Sequence, residues 1–145
     1  MDYELAYRYG APSRLDEGAG LALATSGGST PEGEAAHPYF FSGFMERPDV
    51  VAAGLLAVAR VARTRFYVPP GMVVAPGGGL TRIGMLDPVV TSTAEGLRFE
   101  SFSVCCGVYA RLDVEASALD ATHCAVGVTN VDVNQPLRAT LASLR

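Results

Sequence analysis

Cys105, Cys106, His123 and Cys124 lie within a short distance in sequence and are side chains that could ligate a soft metal, or pair a thiol with an imidazole base. Their spacing suits neither role. Structural zinc sites separate paired ligands by roughly two to four residues so that both reach one tetrahedron. Here two cysteines are consecutive, while His123 and Cys124 stand apart from them. The plainer expectation is small idle thiols, with no metal and no cofactor. A cysteine nucleophile would need His37 or His123, the only histidines, and sequence adjacency does not aim a ring at a thiol. No catalytic residue is assigned, which leaves an enzymatic role open and disfavoured.

Two polar groupings remain. Asn130, Asp132 and Asn134 share one face if their segment is extended, and three oxygen-bearing side chains in a row can hold a polar ligand. The D-x-N pair lacks the glycine and closing glutamate of a calcium loop, so a strand end that caps the next helix is the alternative. Arg60, Arg63 and Arg65 could meet phosphates, although arginines at a helix carboxyl end also simply complement its dipole. Glu100, Arg111 and Asp113 read as charge pairs across neighbouring strands.

The elements that must position these groups follow from hydrophobic period. Residues 98–114 alternate, with Phe102, Val104, Cys106, Val108, Ala110, Leu112 and Val114 on the apolar side. Gly107 in its middle signals a bulge, a bend or a turn between two strands. Pro48 and Asp49 open a helix running to about Arg63. Apolar residues surround most of it, which predicts burial on most sides, and Gly54 predicts a close crossing by another element. Residues 38–45, PYFFSGFM, fit one aromatic helical turn laid on the core. Residues 20–25 read as a short buried strand, 26–37 as a loop and 116–123 as a polar turn. Residues 88–93 and 125–133 read as strands, with Val126, Val128, Val131 and Val133 turned inward. Asn134 or Gln135 caps a last helix with Pro136 in its first turn and an apolar face of Leu137, Leu141 and Leu144. A short strand is expected around residues 3–9, an extended piece at 66–68, and a helix at 80–86.

At 145 residues the chain matches one domain spanning 1–145, with 1–19 a flexible or docked arm. Its net charge of -4 opposes binding of nucleic acid by the whole domain's field. Three cysteines cannot pair completely, and no apolar run is long enough to span a bilayer, so a reduced, cytoplasmic protein off the membrane is expected.

The strings HPYFFSGF (37–44), LLAVARVARTRFYVPPGM (55–72), DPVVTS (87–92), LRFESFSVCCGVYARLDV (97–114) and TNVDVNQPLRATL (129–141) together resemble the amino-terminal region of bacterial, mainly actinobacterial, SWIM zinc-finger family proteins. The C-x-C…C-x-H motif behind that name is absent, so no zinc ligand is carried over. Residues 73–86, with their triple glycine, depart from the family's more helical pattern. The resemblance implies a scaffolding or recognition role for the part preceding a zinc module. Residues and resemblance together predict an α+β domain, an antiparallel sheet covered on one face by the long helix and the aromatic turn. The expected function is a non-enzymatic protein-interaction or scaffold module, able to self-associate. The alternatives are a nucleic-acid-associated module using the arginine cluster, and a small metal protein or enzyme.

Overall fold

In the computed structural model, residues 9–64 and 87–144 are described. The expectations for residues 66–68 and 80–86, and nearly all of that for residues 3–9, lie outside this set, as does Arg65.

The fold is α+β, with antiparallel sheets and a helix packed on the largest of them. A small hairpin joins β1 (Arg14–Asp16) to β2 (Gly20–Ala22). The main sheet contains β3 (Thr25–Thr30), β4 (Gly33–Ala35), β6 (Val89–Thr93), β7 (Gly96–Phe102), β8 (Tyr109–Glu115) and β10 (Gly127–Val131), ordered β4-β3-β10-β6-β7-β8. A two-stranded ribbon pairs β5 (Phe41–Met45) with β9 (Leu119–Cys124). Helix α1 is Pro48–Arg63 and α2 is Gln135–Ser143.

Of the alternatives that Gly107 left open, the structure has the turn between two strands: the segment is a hairpin, β7 and β8, turned by residues 103–108. Ser103 donates its backbone N–H to Val108 at 2.8 Å, and Cys106 has a left-handed φ of 57°. The register sets Leu97 opposite Val114, Phe99 opposite Leu112 and Ser101 opposite Ala110. Facing residues share a side of the sheet, so the inward set is odd-numbered in β7 and even-numbered in β8. Phe102, expected inside, is therefore exposed, while Ala110, Leu112 and Val114 face inward as expected. The two cysteines thus sit in the turn rather than on opposite faces of a strand.

Helix α1 forms where Pro48 and Asp49 predict it. Val51, Leu55, Val58, Ala59 and Ala62 are buried against the sheet, but Val50 is 50% exposed and Ala53 and Ala57 face solvent. The helix is thus covered on one side, not most. Leu55, 1% exposed, contributes about 2 kcal/mol by burial. A Cβ on Gly54 would stand 2.8 Å from Leu112 Cδ1, so the glycine does admit a close crossing, by β8. The Ser101 hydroxyl donates to the Val58 carbonyl at 2.6 Å and ties sheet to helix.

Further expectations are corrected. The aromatic segment is strand β5, not a helical turn, because its backbone pairs with β9 across a wide sequence gap. Residues expected to be loop or turn, 26–37 and 116–123, supply β3, β4, a 3-10 turn at Ala116–Ala118 and β9. The segment read as a buried strand splits into β2, which is exposed, and the start of β3. Val126, just before β10, and Val128 within it are exposed and not turned inward as expected, whereas Gly127, Thr129 and Val131 point inward. A Cβ on Gly127 would fall 2.3 Å from the Phe40 ring, so this inward position takes no side chain. Asn134 caps α2 as predicted, accepting from Leu137 N–H at 2.9 Å, with Leu137 and Leu141 buried and Leu144 exposed. No helix among the described residues is long and apolar enough to cross a membrane.

Candidate functional site

The four candidate metal ligands are divided between two places. Cys105 and Cys106 lie in the β7–β8 turn, and His123 and Cys124 end β9. Among the described residues no three His, Cys, Asp or Glu side chains gather around one point. Cys106 and Cys124 are free, exposed thiols, and the Cys105 sulfur lies 3.4 Å from the Ser103 hydroxyl. His123 stacks on Tyr39 with ring centroids 5.0 Å apart, and its Nε2 is 3.1 Å from the Tyr39 carbonyl. His37 likewise places Nδ1 at 2.9 Å from the Thr25 carbonyl. A carbonyl only accepts, so each ring turns an N–H to the backbone.

The polar ladder at the end of β10 is bonded within the protein. Asp132 Oδ2 accepts from Ser13 N–H at 2.9 Å and from Asn134 Nδ2 at 2.8 Å. Asn134 Nδ2 also donates to the Ser13 carbonyl at 3.0 Å, and the Ser13 hydroxyl accepts from Ala24 N–H at 2.7 Å. Asn130 Nδ2 donates to the Asp87 carbonyl at 3.4 Å. These groups fasten the amino-terminal arm and the start of β6 to the end of β10, and they cap α2.

Asp87, which no sequence motif marks, is a hub of the same region. Its carboxylate accepts from Tyr9 hydroxyl at 3.0 Å, Arg63 Nη2 at 3.1 Å and Val133 N–H at 3.4 Å. The only signal in sequence was an aspartate before the buried Pro88 that opens β6. Of the arginines singled out, Arg63 is thus held by Asp87 and also donates to the Val133 carbonyl at 3.4 Å. Arg60 is exposed. Burial, reinforced by the neighbouring Arg63 charge, lowers the affinity of Arg138 for its proton.

Among the described residues, no strand or helix covers the far side of the sheet or its β8 edge. Reading across the register, one outward row runs Ser29, Val128, Thr91, Arg98, Asp113, and the next runs Asn130, Val89, Glu100, Arg111. Phe102 and Tyr109 close the end of this face, their ring centroids 5.1 Å apart, and both are about half exposed. Arg98 reaches Asp113 at 2.9 Å and Arg111 reaches it at 2.5 Å. Of the residues expected to pair across strands, Arg111 and Asp113 instead pair along β8, the cross-strand partner of Asp113 is Arg98, which the sequence did not single out, and Glu100 accepts from the Tyr109 hydroxyl. Arg111 first, and then Arg98, lower the Asp113 carboxyl below its usual range, and the bond to Glu100 raises the Tyr109 phenol.

The β8 edge is defined by backbone geometry. Ser103 N–H bonds to Val108 at one end of the hairpin and Ala116 N–H to Glu95 at the other, each 2.8 Å. Bonded and non-bonded pairs alternate in an antiparallel ladder, so Ala110, Leu112 and Val114 exchange bonds with β7. Tyr109, Arg111, Asp113 and Glu115 then direct N–H and C=O away from the sheet, and β8 has no strand beyond it among the described residues.

Comparison of the chain with protein-family models, with curated proteins and with solved structures found no match.

Proposed function

We propose that this chain is a non-enzymatic protein-interaction module that takes its partner by accepting an extended strand along β8. The free edge carries the reading. Seven residues long, without proline, β8 presents four successive outward N–H and C=O pairs. Natural sheets normally shorten, cover or distort an edge of that kind, because it templates another strand. The opposite edge is treated in that way: β4 has three residues and begins at Gly33. Main-chain bonds along such an edge supply affinity, and the side chains flanking it supply selectivity. Beside it, Phe102 and Tyr109 offer a half-exposed aromatic pair that suits a protein surface.

The polar clusters that could have served a small ligand, around Asp87 and Asp132, are engaged in holding the fold, which favours a surface role over a pocket. The resemblance to SWIM-type proteins agrees with such a role, since a scaffold preceding a zinc module would fix that module against its partners. A nucleic-acid role is less well supported, because of the two cluster arginines among the described residues, Arg60 and Arg63, the second is already paired with Asp87.

Selection of displayed random peptides on the purified protein, read out by amide exchange, tests the proposal. Bound peptides should protect the Arg111 and Asp113 amides and leave those of Ala110 and Leu112, already bonded to β7, nearly unchanged. Arg111→Pro removes one outward N–H without breaking a bond to β7, and it should abolish that protection. Peptides that bind without protecting either amide would refute strand addition. Salt-sensitive binding to a single-stranded DNA probe that depends on Arg60 would favour the nucleic-acid alternative.

A further inference from the structure

We infer that the strand received by this edge is β8 of a second copy, giving a two-fold dimer with one continuous twelve-stranded sheet, twice the six of one copy. The inference rests on the strand-addition reading above and names its occupant. A two-fold interface must be self-complementary, with each residue meeting its counterpart's partner. Among the registers that overlap most of the strand, β8 meets that condition without opposing like charges in one.

Antiparallel pairing about Leu112 sets Arg111 opposite the partner's Asp113 and Tyr109 opposite the partner's Glu115. Their mirror pairs follow by symmetry. All four of these residues direct backbone groups outward, so this register also joins the free N–H and C=O groups of both edges. Sliding the partner by two residues either way keeps the backbone bonds but sets Arg111 on Arg111 or Asp113 on Asp113. Like charges directly opposite are destabilising, so the sequence selects the central register. In that register the existing Arg98–Asp113 and Arg111–Asp113 contacts extend into an alternating ladder across the two-fold axis.

The other face agrees. Ala110, Leu112 and Val114 are the inward residues of β8, and all three pack with the core. About the axis Leu112 meets Leu112 and Ala110 meets Val114, so the apolar strip beneath the helices continues unbroken. Helix α1 packs against β7 and β8 alike. Its axis then stands about one strand spacing, roughly 4.8 Å, from the two-fold axis. The two helices come within about 10 Å, which is the distance of packed helices. The side they present is small: Gly54 touches Leu112, and Val50 and Ala57, one turn to either side on the same stripe, are exposed in the single copy.

The test uses charge-reversed pairs. Wild-type protein should sediment as a dimer, and its Arg111 and Asp113 amides should gain exchange protection with concentration. Arg111→Asp and Asp113→Arg each place like charges opposite one another at both ends of the axis. Each variant, shown folded by circular dichroism, should dimerise at least about tenfold more weakly. Mixed in equal amounts they should recover a heterodimer, because the acidic edge of one meets the basic edge of the other. Wild type that stays monomeric to millimolar concentration overturns the dimer, as do variants that dimerise undiminished or a mixture that does not associate. Peptide-dependent protection of the same two amides in a monomeric wild type would leave strand addition standing while the dimer falls. A dimer whose Arg111 and Asp113 amides exchange freely would overturn the pairing of β8 with β8.

Discussion

Replacing Asp87 should unfasten the junction where the end of α1, the start of β6 and the end of β10 meet. Asp87→Ala removes the acceptor of Val133 N–H, in a residue fully buried at 0% exposure. Leaving a buried donor without a partner costs about 1–3 kcal/mol, and the lower half applies because the bond is long at 3.4 Å. The Arg63 side chain is 34% exposed and can turn toward water, so its ion pair contributes at most about 1 kcal/mol. Together the loss should be about 2 kcal/mol, which for a chain of this size lowers Tm by about 6 °C. Asp87→Asn keeps one acceptor oxygen and should lose about half as much. Urea unfolding of both variants and of Arg63→Ala gives the free energies. The Asp87→Ala, Arg63→Ala double variant should be more stable than the sum of the single losses predicts, because the two groups share one interaction. If Asp87→Ala unfolded within about 0.5 kcal/mol of wild type, a typical surface effect, the hub would be incidental.

Other perturbations report on other parts of the fold. Gly127→Ala, whose new methyl would meet the Phe40 ring and the Ser29 carbonyl, should destabilise by at least about 2 kcal/mol in the same urea assay. Gly54→Ala gains helix propensity of about 1 kcal/mol but crowds Leu112, whose side-chain end can shift, so its net effect should be small; Gly54→Leu should lose about 2 kcal/mol. In native protein, a thiol reagent should modify Cys106 and Cys124 before Cys105, read by mass spectrometry at short times. The Asp113 carboxyl titrates below its ordinary value in the folded state. Its ion pairs therefore stabilise the fold above the unfolded carboxylate range and lose that effect as pH falls through the lowered folded value. Carboxyl NMR titration should find it low, and Arg111→Ala should move it upward.

Parts of this chain were legible as written because their causes are local. Pro48 and Asp49 start α1, Asn134 caps α2 with Pro136 behind it, and a 3.6-residue apolar stripe marks the buried side of each. Gly54 announced a close crossing for the same reason, since no other residue leaves that space. The alternation in residues 98–114 announced strand, and Gly107 announced a break, but not what the break does to the phase. That is decided by the number of residues in the turn, which exchanges odd for even and puts Phe102 outside.

The elements that escaped notice take their conformation from distant partners. Residues 25–35 are rich in glycine and serine and carry no period, yet β3 becomes a strand because β10 lies beside it, about a hundred residues away. The aromatic run has the spacing of a helical turn, but β9 supplies a backbone partner that a helix would leave unused. Asp87 resembles any aspartate before proline until folding brings Tyr9, Arg63 and Val133 to it. Composition and capping therefore set the helices, the mixed class and the charge pattern of β8. Which strand ends the sheet, and so which backbone groups stay unpaired, came from tertiary structure, because hydrogen-bond partners across a sheet are chosen by chain topology and not by any one segment's residues.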